Sequence, residues 1–421
     1  MELIKSSGLL FIYLVKTEAV QTVNLLKGDK GMNVSKLKKQ VLVVLTTMAA
    51  VTMLAGCGGD TAKSDTIKMG GNVEITGNSA SYGASAKNGI DLAVKELNDQ
   101  GGILGKKISV SYADNKSEPA EAANAMQKLV DDKVIAILGP DTSSNVLAGV
   151  NIVEKEKIPL ITPFGTNPDI TVDPKTKKVR DYAFRAAFID TFQGKVIASF
   201  VTKTLKAKTV AMYIDNSSDY SKGLAKFFQE TFEKDGGKIV SQEAYLQKDT
   251  DFKSALTKLA ATNPEVIFVP GYYQEVGMIV KQAREMGMKQ PIIGGDGWDS
   301  AKLIEIAGGA NLENTFFSTH YSMEDKSPNV VKFVEAYQKA YNVPADAAAA
   351  LAYDSVMMFA QAIRDANSLE PSKIRDALAK LKDFNGITGK ITFDANHDPL
   401  KSAVMMSYKD GKAVFVGKVE P

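Results

Sequence analysis

Four polar stretches, each directly after a short apolar run, hold the side chains that could do chemistry. Gly139-Pro140-Asp141-Thr142-Ser143-Ser144 leads into a helical pattern, so its backbone N–H groups and the Ser143 and Ser144 hydroxyls could hold an anion. An ordinary N-cap would use the same residues. Ile161-Thr162-Pro163-Phe164-Gly165-Thr166 adds the Thr166 hydroxyl on a turn that Pro159 and Pro163 alone would predict. In Gly294-Gly295-Asp296-Gly297-Trp298, Asp296 could receive an ammonium group or simply close an Asx turn. Pro270-Gly271-Tyr272-Tyr273, Tyr82 and Tyr220 supply aromatic surface, suited to a pocket or to plain packing. An anion site facing a cation site suits a zwitterion, such as an amino acid.

Catalysis fits the residues poorly. Past the sole cysteine, Cys57, the chain has two histidines, His320 and His397, and no Gly-x-Ser-x-Gly elbow. Asp394-Ala395-Asn396-His397-Asp398 begins like a calcium loop, but Pro399 takes its sixth position and Met405 its twelfth, so a hairpin turn is expected. A P-loop and a dinucleotide fingerprint are both missing, so any ATP hydrolysis would fall to a separate protein. The expectation is a non-enzyme without metal or cofactor.

The elements that must position these residues alternate. Strand patterns at 67–73, 107–112, 134–138 and 158–161 are separated by helical ones at 84–98, 119–130 and 146–155. The rhythm restarts at 209–214 and runs to 291–293, which indicates right-handed βαβ crossovers. Residues beyond 314 read as helix-rich, with late strands at 391–393 and 403–408. The expected fold is α/β, with two doubly wound parallel-sheet lobes joined by a multi-strand hinge. Lobe I takes 66–186 plus 319–394, and lobe II takes 187–318 plus 395–421.

The N-terminus reads as an address. Lys36, Lys38 and Lys39 precede an apolar run at 41–54 that ends in Leu54-Ala55-Gly56-Cys57, the layout of an export signal. The run is shorter than the ~20 residues a membrane span needs, which disfavours a short transmembrane anchor. The motif resembles the lipobox of bacterial lipoproteins, and that resemblance implies a lipid on Cys57. With Met32 as start, 1–31 is an extension, 32–56 a signal peptide and 57–65 a flexible tether. Without residues 1–56 the chain has 44 basic and 46 acidic residues, so the net charge moves from +2 to −2. The lysines are spread, which argues against a nucleic-acid surface. The protein is expected outside the cytoplasm, lipid-anchored at the outer face of the cell membrane, or periplasmic where an outer membrane exists.

From Thr66 to about Lys418 the chain resembles the branched-chain amino acid substrate-binding proteins of ABC importers, of the type I periplasmic-binding-protein superfamily. Segments 83–98, 101–103, 139–144, 158–163, 219–223, 271–272 and 294–297 carry the likeness. It implies that Ser143 and Thr166, with backbone near Phe164, bind the ligand carboxylate and part of the ammonium. It sets Asp296 against the ammonium, where many members have Glu, and has Tyr82, Tyr220 and Tyr272 line and close the pocket. It also implies a monomer that delivers Leu, Ile or Val to a membrane permease. One position where some members carry a bulky aromatic falls in the alanine-rich stretch 345–350, so the pocket size differs and other aliphatic or aromatic ligands stay open. The same fold serves sensory receptor domains, an alternative disfavoured because the chain stops at Pro421. A hydrolase is disfavoured by the scarcity of histidine.

Overall fold

The protein is described here from a computed structural model that covers residues 66–420. The extension, the signal peptide, Cys57 and the tether lie outside the described residues.

Five parallel strands form the first sheet: β1 (Thr66–Val73), β2 (Lys107–Asp114), β3 (Ile137–Leu138), β4 (Leu160–Thr162) and β5 (Ala183–Arg185), in the order β2-β1-β3-β4-β5. Both residues of β3 are fully buried, as expected for a central strand covered on two faces. Between the strands run α1 (Ala80–Asp99), α2 (Pro119–Asp131) and α3 (Ser143–Glu156). Helix α1 buries Ala86, Gly89, Ile90, Ala93 and Leu97, one stripe at helical spacing.

The second sheet repeats this order. Strands β6 (Thr209–Asp215), β7 (Lys238–Tyr245), β8 (Val266–Phe268), β9 (Ile292–Gly294) and β10 (Thr315–Thr319) run parallel as β7-β6-β8-β9-β10. Its helices are α4 (Asp190–Ser199), α5 (Asp219–Lys234), α6 (Lys253–Ala261), α7 (Tyr273–Glu285) and α8 (Ala301–Ala307). The chain then forms α9 (Pro328–Tyr341), α10 (Ala347–Ala366) and α11 (Pro371–Leu378), followed by β11 (Phe384–Gly386), β12 (Gly389–Phe393) and β13 (Pro399–Leu400). Helix α10 packs along α1, so these helices return to the first sheet. Strands β14 (Ala403–Lys409) and β15 (Lys412–Val419) then join the second sheet antiparallel, beside β10. The chain thus passes between the two sheets at 186–189, 320–327 and 401–402.

Five strands, β5, β10, β11, β13 and β15, exceed the sequence reading. β5, β10, β11 and β13 are short, and β15 is an edge strand whose Phe415 and Val416 are 48% and 40% exposed, so no buried face marks it. Asp410-Gly411, both at positive φ, makes the tight β14–β15 turn. The alanine run at 345–350 begins α10. Its tight packing on α1 leaves an added Cβ at Gly89 only 2.2 Å from the Ala349 carbonyl, so small residues serve helix contact there.

Candidate functional site

In both sheets the strand order reverses beside the first strand, next to β1/β3 and β6/β8. Ligands of open α/β sheets bind beyond the strand ends at such a reversal. Tyr82, Ser143 and Thr166 follow β1, β3 and β4, while Tyr220, Tyr272 and Asp296 follow β6, β8 and β9. Gly139 makes the turn out of β3 at φ +85°, with an added Cβ 2.1 Å from the Asn72 carbonyl, so only glycine fits.

The anion half is built on the start of α3. Thr142 takes the N-cap position without a side-chain cap. Ser143 Oγ instead accepts from the Asn167 amide at 3.3 Å, and Ser144 Oγ from the Asp219 amide at 3.0 Å. Neither serine caps its own helix, and the first-turn amides of α3 keep the open donors of any helix start. On the adjacent loop, Gly165 N–H donates to Thr162 Oγ1 at 3.0 Å, and Thr166 O accepts from Asp190 N at 3.0 Å.

The cation half centres on Asp296, which is 1% exposed and opens a single 3₁₀ turn. Its carboxylate makes no Asx turn. Oδ1 accepts from Gln193 Nε2 at 2.8 Å, and Oδ2 lies 2.9 Å from His320 Nε2. Asp190 and Gln193 share the first turn of α4. Asp190 binds the Thr166 loop and Gln193 binds Asp296, so one helical turn spans from Thr166 to Asp296. Thr166 and Asp190 are neighbours, yet Thr166 Oγ1, both Asp190 oxygens and Gln193 Oε1 are buried without a well-formed hydrogen bond among the described residues. Unsatisfied buried oxygens gathered this closely match a compact cation with several N–H donors. Burial pushes the Asp190 carboxyl up to about 8, against the lowering effect of Thr166 and Arg185. Burial also holds His320 down to about 4, outweighing the attraction of Asp296, so its ring is neutral at pH 7.

Aromatic rings wall the cleft. Tyr220 stacks on Tyr272 with centroids 5.1 Å apart, and Tyr82 lies 5.8 Å from Tyr272 and 5.1 Å from Phe164. The Tyr82 hydroxyl donates to the Gly297 carbonyl across the cleft, while Gly297 N–H donates to Tyr220 Oη at 3.2 Å. The two phenols therefore hold the two successive peptide units that flank Gly297. Burial raises all three phenols far above the usual tyrosine range, so they remain protonated.

The seven ligand-site residues expected from the sequence come together where the ends of the two sheets meet, while Cys57, the expected lipidation site, lies outside the described residues. His320, Gln193, Asp190 and Arg185 were missed as site residues. His320, which the sequence offers only as a candidate catalytic histidine, stands at the end of β10 as the other site residues stand at the ends of their strands. His397 stacks on Phe184 at 4.1 Å, and Asp394 Oδ1 accepts from Asn396 N and Asp398 N within its own turn.

Two doubly wound sheets closing on a polar, aromatic-walled cleft define a two-lobed solute-capturing protein. The periplasmic binding protein family matches residues 66–413, and the chain belongs to that family. It is therefore a solute-binding protein and not an enzyme. It is 30% identical over 372 residues to a Leu/Ile/Val-binding protein homolog of Brucella melitensis, covering 88% of this chain and 99% of the relative. Among solved structures, the branched-chain amino acid transporter substrate-binding protein of Streptococcus pneumoniae, in complex with isoleucine, is 43% identical with a TM-score of 0.79, over 85% of this chain and 100% of that one. A leucine-binding protein from Thermotoga maritima is 36% identical with a TM-score of 0.80, over 84% and 99% respectively.

Proposed function

We propose that the chain is the extracytoplasmic solute-binding component of an ABC importer, and that it captures leucine, isoleucine, valine or a related aliphatic amino acid between its lobes. The observation that carries the reading is the single turn of α4 joining Thr166 to Asp296, with open helix amides on one side and a buried carboxylate on the other. That polarity suits an α-carboxylate and an α-ammonium held one carbon apart. Ser143, Thr166 and backbone near Phe164 receive the carboxylate, Asp296 with Thr166 the ammonium, and Tyr82, Tyr220 and Tyr272 enclose the side chain. Relatives named for Leu/Ile/Val and a solved neighbour holding isoleucine support the ligand class.

Contacts to both lobes exist only when the cleft is shut, so ligand favours the closed form that a permease would recognise. No helix among the described residues is long and apolar enough to cross a membrane. The proposal includes export through the segment before Cys57, lipidation of that thiol and action as a monomer tethered near its permease. A thermal-shift screen over the amino acids tests the ligand class. Selective stabilisation by Leu, Ile or Val is expected, and a shift with sugars or peptides alone would overturn it.

A further inference from the structure

Arg185 ends β5 with no exposure at all, and none of its bonds reaches the cleft directly. Its Nη1 donates to Gly165 O at 2.9 Å, and its Nη2 to Asn167 O at 2.8 Å and Thr171 Oγ1 at 3.0 Å. Its Nε donates to Asp398 Oδ1 at 2.6 Å, a buried ion pair to the β12–β13 turn. The guanidinium therefore clasps the carbonyls on either side of Thr166. The carbonyl between them, Thr166 O, is held by the Asp190 amide at 3.0 Å.

A peptide unit is planar and trans, so its C=O and N–H point in opposite directions. Fixing Gly165 O on Arg185 fixes the Thr166 N–H pointing away from Arg185, and that amide has no acceptor among the described residues. Fixing Thr166 O on Asp190 likewise aims the Asn167 N–H, which finds Ser143 Oγ at 3.3 Å. The rigid fork of an arginine can hold two carbonyls a fixed distance apart, which a lysine ammonium cannot. Asp398 anchors the fork from a turn three residues ahead of Lys401, where the chain crosses to the second sheet. The loop is thereby tied to one strand of the hinge.

We infer that Arg185 is a positioning residue, held by Asp398, that aims the Thr166 backbone amide at the carboxylate of the bound amino acid. The inference rests on the proposed amino-acid site. It separates Arg185 from a purely structural role because one half of the ligand should feel its loss more than the other.

The test is calorimetry of the full chain with leucine and with leucinamide, which keeps the ammonium and side chain but lacks the carboxylate. Arg185→Lys keeps the charge and loses the fork, and Asp398→Asn keeps Arg185 but frees it, so the second variant serves if the first fails to fold. Leucine binding should weaken about 10- to 100-fold in Arg185→Lys, the scale of one hydrogen bond to a charged group, while leucinamide loses less than about threefold. Asp398→Asn should move the same ratio in the same direction by a smaller factor. Equal losses for the two ligands, or no loss, in variants with native circular dichroism would overturn the inference. A wild-type chain that binds no aliphatic amino acid would instead overturn the functional reading and the inference with it.

Discussion

His320 Nε2 lies 2.9 Å from Asp296 Oδ2, and the imidazole is stacked on Phe188 with centroids 3.8 Å apart. A neutral imidazole in contact with a carboxylate places its proton on Nε2, since the carboxylate can only accept. Asp296 is then held from two sides, by His320 and by Gln193, which removes its rotational freedom before any ligand arrives. Burial lifts the carboxyl of Asp190, on the same turn of α4 as Gln193, to about 8, so that group is mostly protonated at pH 7.

Removing the Asp296 side chain should weaken binding severely. Asp296→Ala would leave a buried ammonium without its partner, a cost of about 3 kcal/mol or more, hence over 100-fold in leucine affinity by calorimetry. Asp296→Asn keeps the shape and should lose less. Affinity within threefold of wild type in the alanine variant would remove Asp296 from the site.

The burial of His320 predicts an acid-side loss of stability. Its folded pKa of about 4 lies below its ordinary 6.5, so its contribution is full above pH 6.5 and is lost as pH falls through about 4. Over that window the loss is up to about 3 kcal/mol. His320→Gln cannot titrate, so its melting temperature should fall less steeply from pH 6.5 to 4 in scanning calorimetry. Asp190 acts with the opposite sign, since its raised pKa contributes stability below its unfolded value of about 4 that fades as pH rises through about 8. Identical acid slopes for the variant and wild type would contradict the neutral, buried histidine.

Much of this was legible because the sites follow a topological rule. Ser143, Thr166, Tyr272 and Asp296 each stand just after an apolar run, so local pattern alone placed them at strand ends. Arg185 and Gln193 were not legible in that way. Their partners, Asp398 and Asp296, lie 213 and 103 residues further along the chain, and nothing nearby in sequence marks a buried fork or amide. Strand β15 hid for a different reason, since an edge strand with an exposed Phe415 shows no period-two burial. Its Asp410-Gly411 turn was the available signal.

Gly295 should not tolerate a side chain. An added Cβ would sit 2.3 Å from Tyr220 Oη and 2.9 Å from Gln193 Nε2, pushing on the groups that hold the Gly297 peptide and Asp296. Gly295→Ala is expected to lower leucine affinity at least about tenfold, in line with 1–3 kcal/mol for overpacking. Gly417→Ala, whose added Cβ meets nothing within 4 Å, is the control and should stay within about 0.5 kcal/mol in stability. Equal behaviour of the two variants would remove the steric assignment.

Cys57→Ser should abolish fatty-acid labelling in cells and release the protein from the membrane fraction, while leaving leucine affinity unchanged. Labelling that persists in the variant would rule out Cys57 as the acceptor.

Closure itself is measurable through a bond that spans the cleft without lying among the proposed ligand contacts. Tyr273 Oη donates to Asn78 O at 3.0 Å and accepts from Ser81 N at 3.1 Å, so a residue of α7 on the second sheet holds the loop after β1 on the first. Tyr273→Phe removes both bonds and keeps the ring packed on Tyr82, 4.9 Å away. Losing about 1 kcal/mol from the closed form alone shifts the open–closed balance by about fivefold. If the free protein is mostly open, leucine affinity falls by that whole factor, because ligand must now supply the missing closure energy. If the free protein is mostly closed, affinity changes little and the free form instead expands in small-angle scattering. Leucine-saturated wild type and variant should give the same radius of gyration in either case. Unchanged affinity in a protein whose free form has a larger radius than its leucine-saturated form would show that this bond does not contribute to closure.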